Sequence, residues 1–394
     1  MVKIVTEDYN TKQDLITDLS AKYNYEPWRV RIFDMQRASV QLPNPPKDML
    51  PEELQDNFQH ATMIMQGNGF TFTTSETSSI RNGWEGLSTP YGVTATKENG
   101  VYKLNLTYEN IPVTDFETLK LVEIMGKPTI YYFPFKDKKT GNPRHTYLVV
   151  NPYENCAYRC RPCSRLPFFK YTPKGYEENI EKTLREVLDI VDSPESVRFI
   201  NIITGSTPNA KGDIELYKTI IESFNKAGFV NSEYGVYTPN VESQEDMKLL
   251  RDMGVVFFTA TMEVTTPEAR KRFYGSRNAK GRLSFEEIVD VIKKGEEIFP
   301  YVNTNIMLGY EPADVLKENL EILVKETEAT VNHFIPRIFL KSQLDLIHPA
   351  AKELEYYVDL CAFVERNVNA GRKSFGAFFE ERFGIPQFKE RFRS

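Results

Sequence analysis

Three of the four cysteines in the chain fall in the run NPYENCAYRCRPCSR (residues 151–165), at Cys156, Cys160 and Cys163, with the spacing C-x3-C-x2-C. Thiols this close together on a loop read as metal or redox ligands, because four cysteines in 394 residues make a poor disulfide framework. Structural zinc takes four protein ligands in a closed tetrahedron, and the nearest histidine, His145, precedes the strand that leads into the loop. A cubane iron-sulfur cluster has four irons and can be held by three thiolates, with one iron left open for another ligand. The absent fourth cysteine is then the useful feature. Cys361 lies in the apolar helical run YYVDLCAFV and reads as a buried small hydrophobe.

The elements that must carry this loop are legible as patterns. From Thr146 onward, short β-branched runs alternate with longer helical ones. The strands are TYLVVNP, VRFINIIT, EYGVYTP, VVFFTATMEV, YVNTNIMLG and VNHFIPRIF. The helices lie near 177–191, from Asp213 to Gly228, and at SQEDMKLLRDMG, LSFEEIVDVIKKGEEI and ADVLKENLEILVKE. Such alternation implies a parallel sheet with crossover helices. Six β/α units with sites at the C-terminal strand ends fit a barrel or partial barrel as well as an open doubly wound sheet.

Before residue 145 the texture is mixed α and β. One helix is expected from Lys12 and another from Pro51 (PEELQDNFQHATMIMQ). A hairpin is expected at VTATKENGVYKLNLTY, where Asn99-Gly100 supplies tight-turn chemistry. A further turn is expected at KKTGNPR. The chain thus divides into an α+β accessory region (1–144), a core (145–345) and a C-terminal helix with an aromatic-rich tail (346–394).

With the cysteine spacing in the loop after the first strand of six β/α units, the sequence resembles the radical S-adenosylmethionine (SAM) superfamily over roughly residues 146–340. That resemblance implies an α/β fold, a partial (β/α)6 TIM-like barrel. It also implies a [4Fe-4S] cluster on Cys156, Cys160 and Cys163, with S-adenosyl-L-methionine chelated to the open iron through its amino and carboxylate groups. Reductive cleavage to a 5′-deoxyadenosyl radical and hydrogen abstraction from an organic substrate would follow, with an electron donor such as flavodoxin or ferredoxin. The family usually has an aromatic residue before the last cysteine; here it is Pro162, and Tyr158 or a nearby Phe is the substitute contact for adenine. The run CRPCSR is similar to the cysteine loop of the lysine aminomutase branch, and nothing downstream supports that branch.

The resemblance assigns further positions. In ITGSTPN, Thr204, Gly205 and Ser206 match the turn that receives the methionyl amino group. Glu263, closing TMEV, matches the acid on the ribose hydroxyls, and Arg282, ahead of a helix, matches an arginine on the methionyl carboxylate. Gly309, with Asn305 on the same strand, matches the glycine near adenine. Tyr237, His333 and Arg337 are candidates to reach substrate. The alternative readings of Glu263 and His333 are a rim carboxylate paired with Arg270 or Arg272 and a packed strand histidine.

Composition limits the partners. A formal charge of −6 disfavours nucleic acid. The N-terminus lacks a signal-peptide pattern and no apolar run approaches a membrane span, so a soluble chain in the reducing cytoplasm is expected. The tail from Gly371 is rich in phenylalanine and is expected to strap its rings over the open side or floor of the barrel. Other classes consistent with the cysteines are a 3-amino-3-carboxypropyl transferase, an iron-sulfur electron carrier or sensor, and a zinc-stabilised binding protein. Six β/α units favour a radical enzyme acting on a small or modest organic substrate.

Overall fold

The computed structural model describes residues 9–38, 40–41, 61–64, 71–75, 91–98, 101–113, 130–136, 143–152, 156–163, 176–274, 281–336, 343 and 345–383. Two helices open it, α1 (Tyr9–Tyr23) and α2 (Pro27–Ala38), joined through Asn24 at φ 50°. Asparagine tolerates that left-handed turn, and proline suits the first helical position after it. Six short strands follow: β1 (Val40–Gln41), β2 (Ala61–Ile64), β3 (Thr71–Ser75), β4 (Tyr91–Glu98), β5 (Val101–Tyr108) and β6 (Ile111–Pro112). They form a sheet of order β2-β3-β1-β4-β5-β6. The expected hairpin is present, with β4 and β5 antiparallel from Tyr91 opposite Tyr108 to Glu98 opposite Val101. The helix expected from Pro51 needs correction, because Ala61–Ile64 pairs antiparallel with β3. Cross-strand pairing outweighs a helical period in so short a run. Residues 51–60, Asn99, Gly100 and 137–142 of the expected turn lie outside the described residues.

The second sheet carries the cysteines. Its antiparallel edge hairpin is β7 (Ile130–Lys136) and β8 (Pro143–Val150), so the division expected at residue 145 falls inside β8. Then come α3 (Tyr176–Ile190), β9 (Val197–Ile202), α4 (Ala210–Lys226), β10 (Glu233–Thr238), α5 (Gln244–Asp252), β11 (Val255–Glu263), α6 (Pro267–Tyr274), α7 (Phe285–Glu296), β12 (Tyr301–Met307), α8 (Ala313–Glu326) and β13 (Thr330–Phe334). From β8 to β13 every neighbouring pair is parallel, in the order of the sequence. Local signals set the helix starts. Asn209 accepts from Gly212 N and begins α4 at Ala210, earlier than its apolar period suggests. Ser284 and Glu287 form a reciprocal capping box on α7. α6 is an addition that its charged sequence, PEARKRFY, does not announce. No helix among the described residues is long and apolar enough to cross a membrane.

Alternation along the strands divides their side chains between two faces. The outer set, including Leu148, Ile200, Val236, Phe258 and Val302, packs with the helices in one core that also takes in Ile16 and Phe33 of α1 and α2. That core extends to Val358 and the fully buried Cys361 of α9 (Leu354–Phe363). The inner set begins with four rings near the strand starts, Tyr147, Phe199, Phe257 and Tyr301.

The last described helix, α10 (Phe375–Phe383), lies against these rings. Phe375 is 5.2 Å from Phe257, 6.0 Å from Tyr301 and 6.2 Å from Tyr147, while Phe379 is 4.8 Å from Phe199. One helix can touch rings on four strands only if the sheet curls around it. The architecture is therefore an α/β partial barrel of six parallel strands, with the aromatic tail as its floor. Phe379 is fully buried among these rings. Phe379→Ala should lower the stability of the fold by about 3–5 kcal/mol, read as an earlier urea midpoint, whereas Val230→Ala, at an exposed position, should stay within about 0.5 kcal/mol.

Candidate active site

The cysteine loop leaves the C-terminal end of β8 with no helix or strand among its described residues, and other segments hold much of its backbone. Ala157 N donates to Ser206 O at 2.8 Å, Arg161 N to Phe273 O at 3.1 Å, and Cys163 N to Cys160 O at 3.0 Å. The buried Gln343 amide donates to Arg161 O at 3.1 Å and Cys163 O at 3.4 Å. Arg159 turns the chain at φ 46°. All four cysteines are free thiols. Cys156, Cys160 and Cys163 border one cluster with Tyr158, Val264, Ala269, Phe273, Tyr274 and Tyr310.

Tyr158 ties the loop to the next two strand ends. Its hydroxyl donates to Asn240 Oδ1 and lies 3.4 Å from Pro208 O. Asn240 in turn donates to Thr207 O at 3.0 Å and to Asp213 Oδ2 at 2.8 Å. The fully buried Asp213 carboxylate also accepts from Thr207 N at 2.7 Å, Thr207 Oγ1 at 2.8 Å and Thr238 Oγ1 at 3.0 Å. Burial outweighs these donors and raises the Asp213 pKa above its ordinary value. The network sets the shape of the Thr204–Gly205–Ser206 turn, whose Ser206 carbonyl receives the cysteine loop.

Glu263 occupies the most constrained backbone of the site. Val264 N reaches back to Met262 O at 2.8 Å, a three-residue turn with Glu263 at φ 63° in its centre, just past a break in the β11–β12 register. A non-glycine residue at positive φ in so tight a turn is strained, and such strain persists only where its surroundings impose it. Arg270 supplies part of that restraint, donating through one nitrogen to Met262 O and Val264 O, both at 3.1 Å. Glu311 supplies more, accepting from Thr265 N at 2.9 Å and Thr266 N at 2.5 Å. The Glu263 carboxylate accepts from Tyr274 Oη at 2.7 Å. Burial, then Glu263, then Cys160 push the Tyr274 hydroxyl far above its ordinary range, which places Glu263 and Cys160 around one phenol. Burial, Asp213 and Cys156 do the same for Tyr217 on the other side of the loop.

The remaining expected residues divide. Arg282 precedes α7, is exposed, and donates to Glu242 in the loop after β10. Arg272 donates to Tyr310 O at 2.5 Å, not to Glu263. Gly309 has φ 94°, and a Cβ there would meet Tyr357 Oη at 2.8 Å, so backbone and packing alone require glycine. Asn305 and Tyr237 face the concave side, Asn305 accepting from Asn332 at 3.3 Å and Tyr237 lying 6.2 Å from Phe257. His333 is placed on the opposite face, 4.0 Å from Glu365 and near Arg29, because it is one step from the inward Asn332. It is the packed strand histidine, not a group turned toward the concavity. Arg337 lies outside the described residues. Residues that the sequence reading passed over are Asp213, Tyr274, Gln343 and the concave Asn201, Thr259, Thr261, Asn303 and Asn332. For the concave set a signal existed: polar residues two apart inside apolar strands, as in FTATME and YVNTNI.

A family model described as the radical SAM superfamily matches residues 150–323, from the end of β8 into α8. Residues 150–323 thus carry a radical SAM domain. No curated protein matches it. Among solved structures, this chain is similar to the FeFe-hydrogenase maturase HydG from Carboxydothermus hydrogenoformans, at 11% identity and TM-score 0.40 over 55% of this chain and 51% of that one. It is similar to methylornithine synthase (PylB) at 13% identity and TM-score 0.40 over 55% and 61%. A radical SAM methyltransferase from Sphaerobacter thermophilus matches at 12% identity and TM-score 0.38 over 91% and 96%. The chain spans about half the length of the maturase it matches.

The donor set can be tested for its fit to a group. Among the described residues no three Cys, His, Asp or Glu side chains converge on a point that one metal ion could occupy. A zinc ion needs such convergence, at about 2.3 Å from each sulfur. A cubane presents separate irons to separate thiolates, and three thiols on one short loop bordering one cluster suit it. Of the four cysteines, Cys361 has no part in this, since burial in α9 drives its thiol pKa far up.

His333 yields a pH prediction with a definite sign. Burial, then Arg29, lower its pKa to about 4 from 6.5. Between those values the unfolded chain binds the proton and the folded chain does not, so stability is complete above pH ~6.5 and falls toward pH ~4. Replacing His333 by Asn should flatten that part of the stability profile relative to wild type in urea titrations; parallel profiles would contradict the assignment.

Proposed function

We propose that this chain reductively cleaves S-adenosylmethionine and uses the resulting radical to take a hydrogen atom from an organic substrate. The observation that carries the reading is the fastening of three free thiols to the C-terminal ends of the parallel strands, on the same side as the strained Glu263. When bound, a [4Fe-4S] cluster on Cys156, Cys160 and Cys163 supplies the electron that breaks the sulfonium, refilled by a donor such as flavodoxin or ferredoxin.

The chain's own residues would bind and orient. The Thr204–Ser206 turn offers small side chains and backbone at the next strand end, where a ligand amino group can approach. Glu263 offers a carboxylate to a pair of ribose hydroxyls, and Tyr274 holds that carboxylate in place. Arg282 would exchange Glu242 for the ligand's carboxylate. Its present ion pair is exposed, and exposed pairs contribute about 0–1 kcal/mol, so the exchange costs little. Tyr158, on the same loop, would supply the adenine contact that the buried Pro162 does not offer. Orientation by these groups determines which sulfonium carbon faces the reductant.

Anaerobically reconstituted wild type should hold iron and sulfide, Cys156, Cys160 and Cys163 replaced together by Ala should hold none, and Cys361→Ala should load as wild type. A colourless wild type with one zinc would sink the reading. With dithionite, the quenched mixture should contain 5′-deoxyadenosine on chromatography. Methylthioadenosine as the main product would instead support 3-amino-3-carboxypropyl transfer.

Glu263→Ala and Arg282→Ala should each keep the iron and weaken S-adenosylmethionine binding by roughly 1.5–3 kcal/mol in calorimetry. Unchanged affinity in both variants would remove them from the site.

A further inference from the structure

Above the aromatic floor the concave face changes chemistry. Asn201, Tyr237, Thr259 and Asn303 stand one step up the strands, and Thr261, Asn305 and Asn332 one step higher. Register sets Tyr237 beside Thr259, Thr259 beside Asn303 and Asn305 beside Asn332. Asn201 is 2% exposed and Thr259 and Asn303 are 0% exposed. Tyr237, Thr261, Asn305 and Asn332 are half-buried, and Ile203 at the lip is exposed. The described residues thus form a cup, closed below by rings and opening at the strand ends where the cysteine loop lies.

The hydrogen bonding of this cup is incomplete. Asn201 donates to Tyr147 Oη at 3.3 Å and Asn303 accepts from Thr259 Oγ1 at 2.5 Å. Yet Asn201 Oδ1, Asn303 Nδ2 and Thr261 Oγ1 are buried with no partner. Orphaned buried polar atoms are rare and each destabilises the free protein. Three on one concave face are hard to attribute to packing alone. Gly235 is closely packed here, a Cβ on it coming within 2.7 Å of Phe199 Cζ and 2.8 Å of Asn201 Oδ1, so Asn201 and the ring below it keep their places only with glycine on β10. Among the described strand residues that face the cup above the ring layer, Glu263 at the lip is the only charged one; Glu233, beside Phe199, lies at the floor and is paired with Arg382 of α10. Burial keeps the Tyr237 phenol protonated. A charged ligand group at this depth would lose its water and meet no counter-charge.

We propose that the Asn201–Asn303–Thr261 layer binds an uncharged, planar group of the carboxamide class on the substrate, which must offer both a carbonyl acceptor and an N–H donor. The proposal rests on the reading of the chain as a radical SAM enzyme with its substrate in the half-barrel. The Asn303 amide N–H answers the carbonyl, the Asn201 carbonyl answers the N–H, and the Thr261 hydroxyl serves either. Reversing either asparagine amide exchanges donor for acceptor and leaves the class unchanged.

Two measurements on the full chain test this without turnover. In the ligand-free protein, Thr261→Val should hold or raise the thermal midpoint, because it replaces an orphaned hydroxyl by a methyl of nearly the same shape and breaks no hydrogen bond; a clearly lower midpoint overturns the proposal. In ligand-observed NMR, benzamide and nicotinamide should bind wild type about tenfold or more tightly than benzoate and nicotinate, and lose about that factor in Asn303→Leu and in the milder Thr261→Val. Carboxylates binding as tightly, no probe binding, or amide binding retained in both variants would each overturn it. Neither measurement needs bound iron, so a failure here leaves the radical reading standing, and an iron-free protein leaves this one standing.

Discussion

The hydrogen bond from Ala157 N to Ser206 O, with its companions from Arg161 N to Phe273 O and from Gln343 to Arg161 O and Cys163 O, determines whether there is a site at all. An irregular loop cannot satisfy its own backbone, so it takes its shape from whatever carbonyls and donors its neighbours present. Each such bond contributes only about 0.5–1.5 kcal/mol net. Together they make the thiol geometry conditional on β9, α6 and the segment at Gln343 being correctly placed at once. The cysteines are set by the sequence, and the barrel supplies their arrangement.

The same dependence explains the buried polar groups around the loop. Asp213 sits inside the protein with no cation paired to it among the described residues, held by donors from Thr207, Thr238 and Asn240 that tie together two βα turns where the loop lands. Glu311 does the equivalent for the segment after β11, bonding Thr265 and Thr266 so that Glu263 stays in a backbone conformation it would not choose. Stability is given up at the rim and recovered below. The floor packs Phe375, Phe378, Phe379 and Phe383 against four strand rings, with burial that costs nothing in unpaired groups. Between floor and rim lies a layer where polar atoms go unpaired, which natural proteins tolerate mainly where a site needs them.

Much of the frame was legible from neighbours in sequence. The alternation of strands and helices from Thr146, the Asn99-Gly100 hairpin and the apolar surroundings of Cys361 all depend on residues a few positions apart. Where such signals were short they misled: Ala61–Ile64 reads as the end of a helix until β3 offers it a partner. α6 went unread because its sequence, PEARKRFY, is mostly charged and its buried face is set by the loop it supports.

By itself, then, the sequence determined the close spacing of Cys156, Cys160 and Cys163, the parallel β/α order that puts their loop at a strand end, and the aromatic tail. Tertiary structure alone decided that His333 faces Glu365 while Asn332 faces the cup, that Arg282 meets Glu242, that Glu263 caps a strained turn beside Tyr274, and that Asn201, Thr261 and Asn303 share one concave surface. The reason is geometric. A spacing such as C-x3-C-x2-C is preserved wherever the chain goes, but which side chains meet across strands depends on register and curl. Those are set by pairings between residues tens to hundreds of positions apart, and a one-residue shift in any of them turns every side chain of that strand to the other face.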